Sequence, residues 1–220
     1  MKIPFSVYDF FGYLACGFFF MCAFEYATGG AWLLNATDLT TAQGLFWASA
    51  IYVVGLIIAN AASALFEELW LRKGLGPAEE TLWDEHPGHF WRAIFPHYYT
   101  PYSSAFRTAV ESKAASTAGF VITNRRELYK HCHAVVKKDK ATQERLNIFL
   151  TRYSFARNVA LSFFLSALLF TASWVFDWRP DDPSLLWWAL LALFLALSLL
   201  RIYVKFYLLY TQEVFNAYQA

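Results

Sequence analysis

The chain carries five histidines, His86, His89, His97, His131 and His133, all of them within residues 67–157. Imidazole is the side chain best suited to proton transfer near neutral pH and to metal ligation, so their spacing matters first. His131 and His133 are two residues apart, which on a helix sets them roughly 200° round from each other, and one face cannot offer both to a single ion. His86 and His89 are three apart, but Pro87 and Gly88 stand between them and favour a turn. A metal site would have to bring in His97, Cys132, Glu79, Glu80, Asp84 or Glu85, a pattern unlike the spacings of zinc sites. No metal ligand set and no cofactor are therefore assigned. The chain also lacks HExxH, GxSxG and a glycine-rich phosphate loop, and His-Pro-Gly-His at 86–89 lacks the companion motifs of membrane lipid phosphatases. No catalytic residue is named, and a membrane-embedded histidine-dependent enzyme at the inner surface stands as the alternative function.

Two other groups of residues invite a functional reading. Glu25 lies inside an otherwise uncharged apolar run. A carboxylate at the centre of a spanning helix costs on the order of 2.5–3.5 kcal/mol on insertion scales, so Glu25 either lies nearer the outer interface and snorkels, or must be partnered, protonated or turned to water. Asn60 or Gln43 of the next run could share a polar path with it. Glu67 and Glu68 end one helix while Arg152 and Arg157 precede another, which makes an ion-pair cluster or an anion site at the inner membrane surface.

The elements that must position these residues follow from composition. Of 220 residues 58% are hydrophobic and 16% charged, with a formal net charge of +1, whereas a soluble domain averages about 45–50% apolar and 25% charged. The excess is gathered into four runs, at about residues 10–33, 44–66, 158–176 and 184–204. A spanning helix needs about 20 apolar residues, and each run suffices. The first has no clear cleavage site and reads as an uncleaved span. The expected fold is an all-α integral membrane protein with four transmembrane helices and a helical cytoplasmic extension, residues 67–157, between helices 2 and 3. Three scattered cysteines, Cys16, Cys22 and Cys132, exclude a disulfide framework, and the near-neutral charge gives no sign of direct nucleic-acid binding.

Orientation follows from the loops. Residues 67–157 hold 14 Lys/Arg against 10 Asp/Glu, while the short connections are neutral or acidic: residues 34–43 hold only Asp38, and 177–183 hold Asp177, Asp181 and Asp182 against Arg179. The positive-inside rule puts the long connection and both termini in the cytoplasm. Trp32, Trp174, Trp178, Trp187 and Trp188 read as outer interfacial anchors. Within the extension, the second helix runs on to Gly74 or Gly76, and Pro77 opens a short acidic helix. Residues 86–101 read as a loop, and a helix over 104–118 ends at Gly119. Asn124 with Glu127 makes a capping box for a helix that buries Leu128, His131, Cys132, Val135 and Val136. A last helix from about Ala141 runs into the third span, while a short tail follows the fourth. Small residues in the second run, Gly44, Ala48, Gly55, Ala59 and Ser63, form a close-packing stripe for another helix, in the same chain or in a second copy.

The opening Phe5-Ser6-Val7-Tyr8-Asp9-Phe10-Phe11-Gly12-Tyr13-Leu14-Ala15-Cys16-Gly17, with Tyr153-Ser154-Phe155-Ala156-Arg157-Asn158 ahead of the third span, resembles small uncharacterised bacterial inner-membrane proteins of similar layout, some of which accompany antiphage defence genes. Cys16 stands where those proteins tend to have proline before the glycine. The resemblance implies a membrane component of a defence or stress system in the bacterial inner membrane. The expected function is a non-enzymatic, homo-oligomeric sensor or effector, pore-forming or membrane-perturbing, whose cytoplasmic helices bind a protein partner.

Overall fold

The computed structural model describes residues 7–30, 40–83, 89–119, 122, 124–179 and 182–220. Among these every regular element is a helix: α1 (Val7–Thr28), α2 (Thr41–Ala62), a π-helical segment (Ser63–Leu75), α3 (Ala78–Thr81), α4 (His89–Ile94), a 3₁₀ turn (Pro96–Tyr99), α5 (Ser104–Thr117), α6 (Arg125–Val136), α7 (Lys140–Val175) and α8 (Leu185–Gln219). Among the described residues three stretches are long and apolar enough to cross a membrane: Thr41–Thr81, Lys140–Val175 and Leu185–Gln219. The described residues are thus all-helical, with helices of the length and apolarity of a membrane protein. It divides into two compact units, unit 1 of residues 1–66 and 154–202, and unit 2 of residues 67–153 and 203–220.

In unit 1, α1 stops at Thr28, earlier than the apolar pattern suggests. Gly29 takes a left-handed φ of 69°, its N–H donates to Tyr26 O, and the Gly30 N–H donates to Glu25 O. This is the Schellman closure that glycine makes easy. The end of α7 repeats it, with Asp177 at φ 53° and the Trp178 N–H on Ser173 O. α2 starts at a capping box in which Thr40 and Gln43 exchange side-chain and backbone bonds.

Glycine decides how α1 meets α2. A Cβ on Gly17 would lie 2.0 Å from Ile51 O and one on Gly55 1.9 Å from Tyr13 O, so the helices cross antiparallel, backbone on backbone. α7 joins them differently: Ser162 Oγ donates to Cys16 O and Ser173 Oγ to Ala27 O, both at 2.7 Å. The two bonds share one offset along the chain, which makes α1 and α7 parallel and in register. Half of α7's most apolar window is buried against 22% of α8's, so α7 is the central helix and α8 a peripheral one.

Unit 2 has an aromatic core. Trp83, 1% exposed, packs on Phe215 at 4.4 Å between centroids and donates from Nε1 to Glu111 Oε1 at 2.7 Å. Arg125 pairs with the same Glu111, and Arg107 donates to Trp83 O. The last part of α8 supplies Val214, Phe215 and Tyr218, all buried. The tail after the fourth apolar run is helical: α8 continues to Gln219, with an aromatic face at Tyr207, Tyr210, Phe215 and Tyr218 that has a core to enter.

Several expectations need correction here. The segment 86–101 is not simply a loop, since it contains α4 and the 3₁₀ turn; Trp91 and Phe95 pack on Trp70, and the Tyr98 and Tyr99 hydroxyls donate to Gly76 O and Leu75 O. Their bonds settle at Gly76, φ 84°, where the preceding helix ends. On α6, Leu128, Cys132 and Val136 are buried, but Val135 is 39% exposed and His131 only half-buried.

Candidate functional site

The sequence-predicted residues fall into separate places. His131 lies on the α5 side of α6, with Nε2 3.1 Å from Thr117 Oγ1 and 3.3 Å from the Tyr218 hydroxyl. His133 faces another way, 3.0 Å from the Tyr210 hydroxyl and stacked on Tyr129. The two-residue spacing on a helix is the cause. Burial, and after it the Lys137 charge, holds His133 below the usual imidazole range. Burial pushes the Cys132 thiol up to about 12, which leaves it a protonated core residue. His97 is exposed, and His86, with the His89 side chain, lies outside the described residues. Among the described residues no three His, Cys, Asp or Glu side chains gather as metal ligands do.

Glu25 is buried, 2% exposed, in the last turn of α1. Asn60 is exposed and donates to its own helix at Leu56 O. With Tyr13 set against Gly55 and Gly17 against Ile51, Asn60 lies towards the opposite end of α1, about 25 Å along the pair from Glu25 at ~1.5 Å per residue. Gln43 is engaged with Thr40. The polar path proposed between Glu25 and the second run is therefore not built from Asn60. Of the inner-surface cluster, Glu68 is exposed, Arg152 lies over the Phe206 ring at 5.4 Å, and Arg157 donates to Asn158 Oδ1. Glu67 sits half-buried in the π-helical segment. In the small-residue stripe, Gly55 and Ala59 are buried, Ser63 is half-buried, Ala48 is exposed, and Gly44 has nothing near its Cβ position.

Sequence reasoning missed a cleft of about 370 Å³ in unit 1. α1 lines it with Phe19, Cys22, Ala23 and Tyr26, α7 with Phe163, Ser166 and Phe170, and α8 with Trp188, Leu191, Ala192 and Leu195. Ala23 and Ala192 form its buried floor, while Phe19, Leu191 and Trp188 stand at its mouth, 39%, 45% and 45% exposed. The cleft exists because small residues occupy the floor between larger flanking ones.

Its upper end is polar. The Tyr26 hydroxyl donates to Asp182 Oδ2 at 2.9 Å and lies 2.9 Å from Ser184 Oγ. Arg179 caps α1 by donating to Tyr26 O at 2.9 Å, lies over the Tyr26 ring, and stands 3.5 Å from Asp182. Hydrogen bonds from Ser184 and then Tyr26 hold the Asp182 carboxyl below its ordinary range. The rim is thus an oriented pair of opposite charges beside an apolar slot. Its signal in the sequence was the serine spacing 162, 166 and 173, which marks the α7 face turned to α1, and the charged loop at Arg179 and Asp182.

A second arrangement closes unit 2. Lys113 donates from Nζ to Tyr218 O and Gln219 O at 2.6 and 3.2 Å, a cation on the last carbonyls of α8, and Thr117 lies 2.7 Å from the Tyr218 hydroxyl. The hydroxyls and imidazole here fasten the helix end. Comparison with protein-family models, curated proteins and solved structures gives no match to this chain.

Proposed function

We propose that this chain is a four-span protein of the bacterial inner membrane with both termini in the cytoplasm, acting as a non-enzymatic, homo-oligomeric sensor or effector. In this reading unit 2 is the cytoplasmic part that takes a protein partner, and binding there alters the packing or permeability of unit 1. The observation that carries it is continuity: the α2 and π-helical stretch crosses the unit boundary at 66/67, α7 crosses at 153/154 and α8 at 202/203, each without a break in the helix. A helix that continues from one unit into the other gives a partner bound on unit 2 a covalent route by which to act on the spans.

The fourth span is supported by register. α1 runs parallel to α7 over the eleven residues between the Cys16–Ser162 and Ala27–Ser173 bonds, about 16 Å at ~1.5 Å per residue, so a membrane that contains α7 contains α1 as well. The alternating directions of α1, α2 and α7 agree with the alternation that four crossings require. The resemblance of the opening residues supports a place in a defence or stress system.

Reconstitution into dye-loaded liposomes tests the reading. Flux that appears on adding a cytoplasmic fraction containing the partner, with a multi-chain mass in detergent, is the expected result. No flux under any condition together with a single-chain mass contradicts it, and stoichiometric zinc or iron lost on His131→Ala would favour the histidine-dependent enzyme instead.

A further inference from the structure

We infer that the cleft between α1, α7 and α8 holds one acyl chain of a bilayer phospholipid, with a zwitterionic headgroup seated at the Arg179–Asp182 rim. The inference rests on α7 and α8 spanning the bilayer. The slot follows the helix axes: its α1 lining runs from Phe19 to Tyr26, about 10 Å at ~1.5 Å per residue. A groove along the helices lies along the bilayer normal, the direction of a lipid tail, and it suits a chain better than a broad ring system. Its volume of about 370 Å³ sits at the small end of ligand pockets, roughly 300–1,000 Å³, enough for the head-proximal part of one tail and too little for a whole lipid.

The mouth supports the same occupant. Leu191 and Trp188 belong to the face of α8 that also exposes Trp187, Leu190, Phe194 and Leu197, the surface a peripheral spanning helix gives to hydrocarbon, so the slot opens where lipid tails are. The polar end then chooses the head. Arg179 suits a phosphate and Asp182 an ammonium, and at 3.5 Å the two present opposite charges side by side. A purely anionic head would meet the Asp182 carboxylate, whereas a zwitterionic one matches both charges.

The test uses the full chain purified in mild detergent and examined by native mass spectrometry. A single retained phospholipid of the phosphatidylethanolamine or phosphatidylcholine type is expected, in preference to phosphatidylglycerol, and Asp182→Asn, which leaves Arg179 as an unopposed cation, should abolish that preference. Ala192→Trp fills the floor and should lower retention about tenfold, equivalent to about 1.4 kcal/mol. In case that variant does not fold, Cys22 reports on the native chain: it lines the slot, whereas Cys16 and Cys132 are fully buried. Adding phosphatidylethanolamine to delipidated protein should slow Cys22 alkylation by an apolar maleimide, mapped by peptide mass. No retained lipid, retention of phosphatidylglycerol or of an apolar non-lipid molecule, or an alkylation rate indifferent to phospholipid overturns the inference. A chain that stays dissolved without detergent would instead defeat the spanning reading beneath it.

Discussion

In unit 1 the closest approaches are made by residues with almost no side chain, Gly17 against Ile51 and Gly55 against Tyr13, and by serines that donate to the carbonyls of a neighbouring helix. In unit 2 the centre is held by the largest side chains available, Trp83, Phe215, Tyr98 and Tyr129, with each polar tip given a partner. The difference fits the proposed placement of unit 1 in lipid and unit 2 in water. Where lipid tails surround a helix, burying a leucine gains little because the tail is as apolar as the core, so packing and interhelical hydrogen bonds must hold the helices. Where water surrounds it, removal of aromatic surface stabilises by about 25 cal/mol per Å².

Three changes, the last two each set beside a control substitution, sharpen or break this contrast, in order of expected effect. Trp83→Ala removes the centre of the aromatic core and should cost about 3–5 kcal/mol, read as a lower midpoint in chemical denaturation followed by tyrosine and tryptophan fluorescence. A loss below 1 kcal/mol would show that unit 2 is not held as described. Gly55→Val forces α1 off α2 and should cost about 1–3 kcal/mol, seen in the thermal melting of the detergent-solubilised chain. Gly44→Val, with nothing near its Cβ position, should melt like the native chain. Ser162→Ala removes one bond to Cys16 O and should cost about 1 kcal/mol, while the exposed Ser49→Ala should not change stability measurably.

The smallest effect concerns pH. Because burial lowers the His133 pKa in the folded state, the unfolded chain takes the proton more readily. Stability should therefore fall as pH drops through the ordinary imidazole value of about 6.5 towards the lower native one, and be fully present above it. His133→Asn should flatten that part of the stability profile, and an unchanged slope would count against the buried neutral imidazole.

Much of this architecture is legible in the residues. The unbroken α7 follows from the absence of proline and glycine between Lys140 and Phe176, the end of α5 from Gly119, and the start of α6 from Asn124 with Glu127. The divergence of His131 and His133 follows from helical geometry alone. What was not legible depends on contacts distant in sequence. Nothing local marks residues 89–99 as helical, because Trp70 and the carbonyls of Leu75 and Gly76 supply their partners. The destination of the last part of α8 is set by Trp83 and Lys113, over a hundred residues away. The cleft depends on Ala23 and Ala192 facing each other across three helices, and alanine in an apolar run carries no sign of being a floor. Glu25 drew attention for its charge, yet Tyr26, its neighbour, makes the contacts that define the polar rim.

The central claim is four crossings with both ends on the same side, and cysteine labelling in sealed cells tests it most directly. Cysteines placed singly at Lys2, Trp178 and Ala220 are exposed to a membrane-impermeant maleimide before and after permeabilisation. The account predicts labelling of position 178 in intact cells and of positions 2 and 220 only after permeabilisation. Labelling of position 2 or position 220 in intact cells would contradict it.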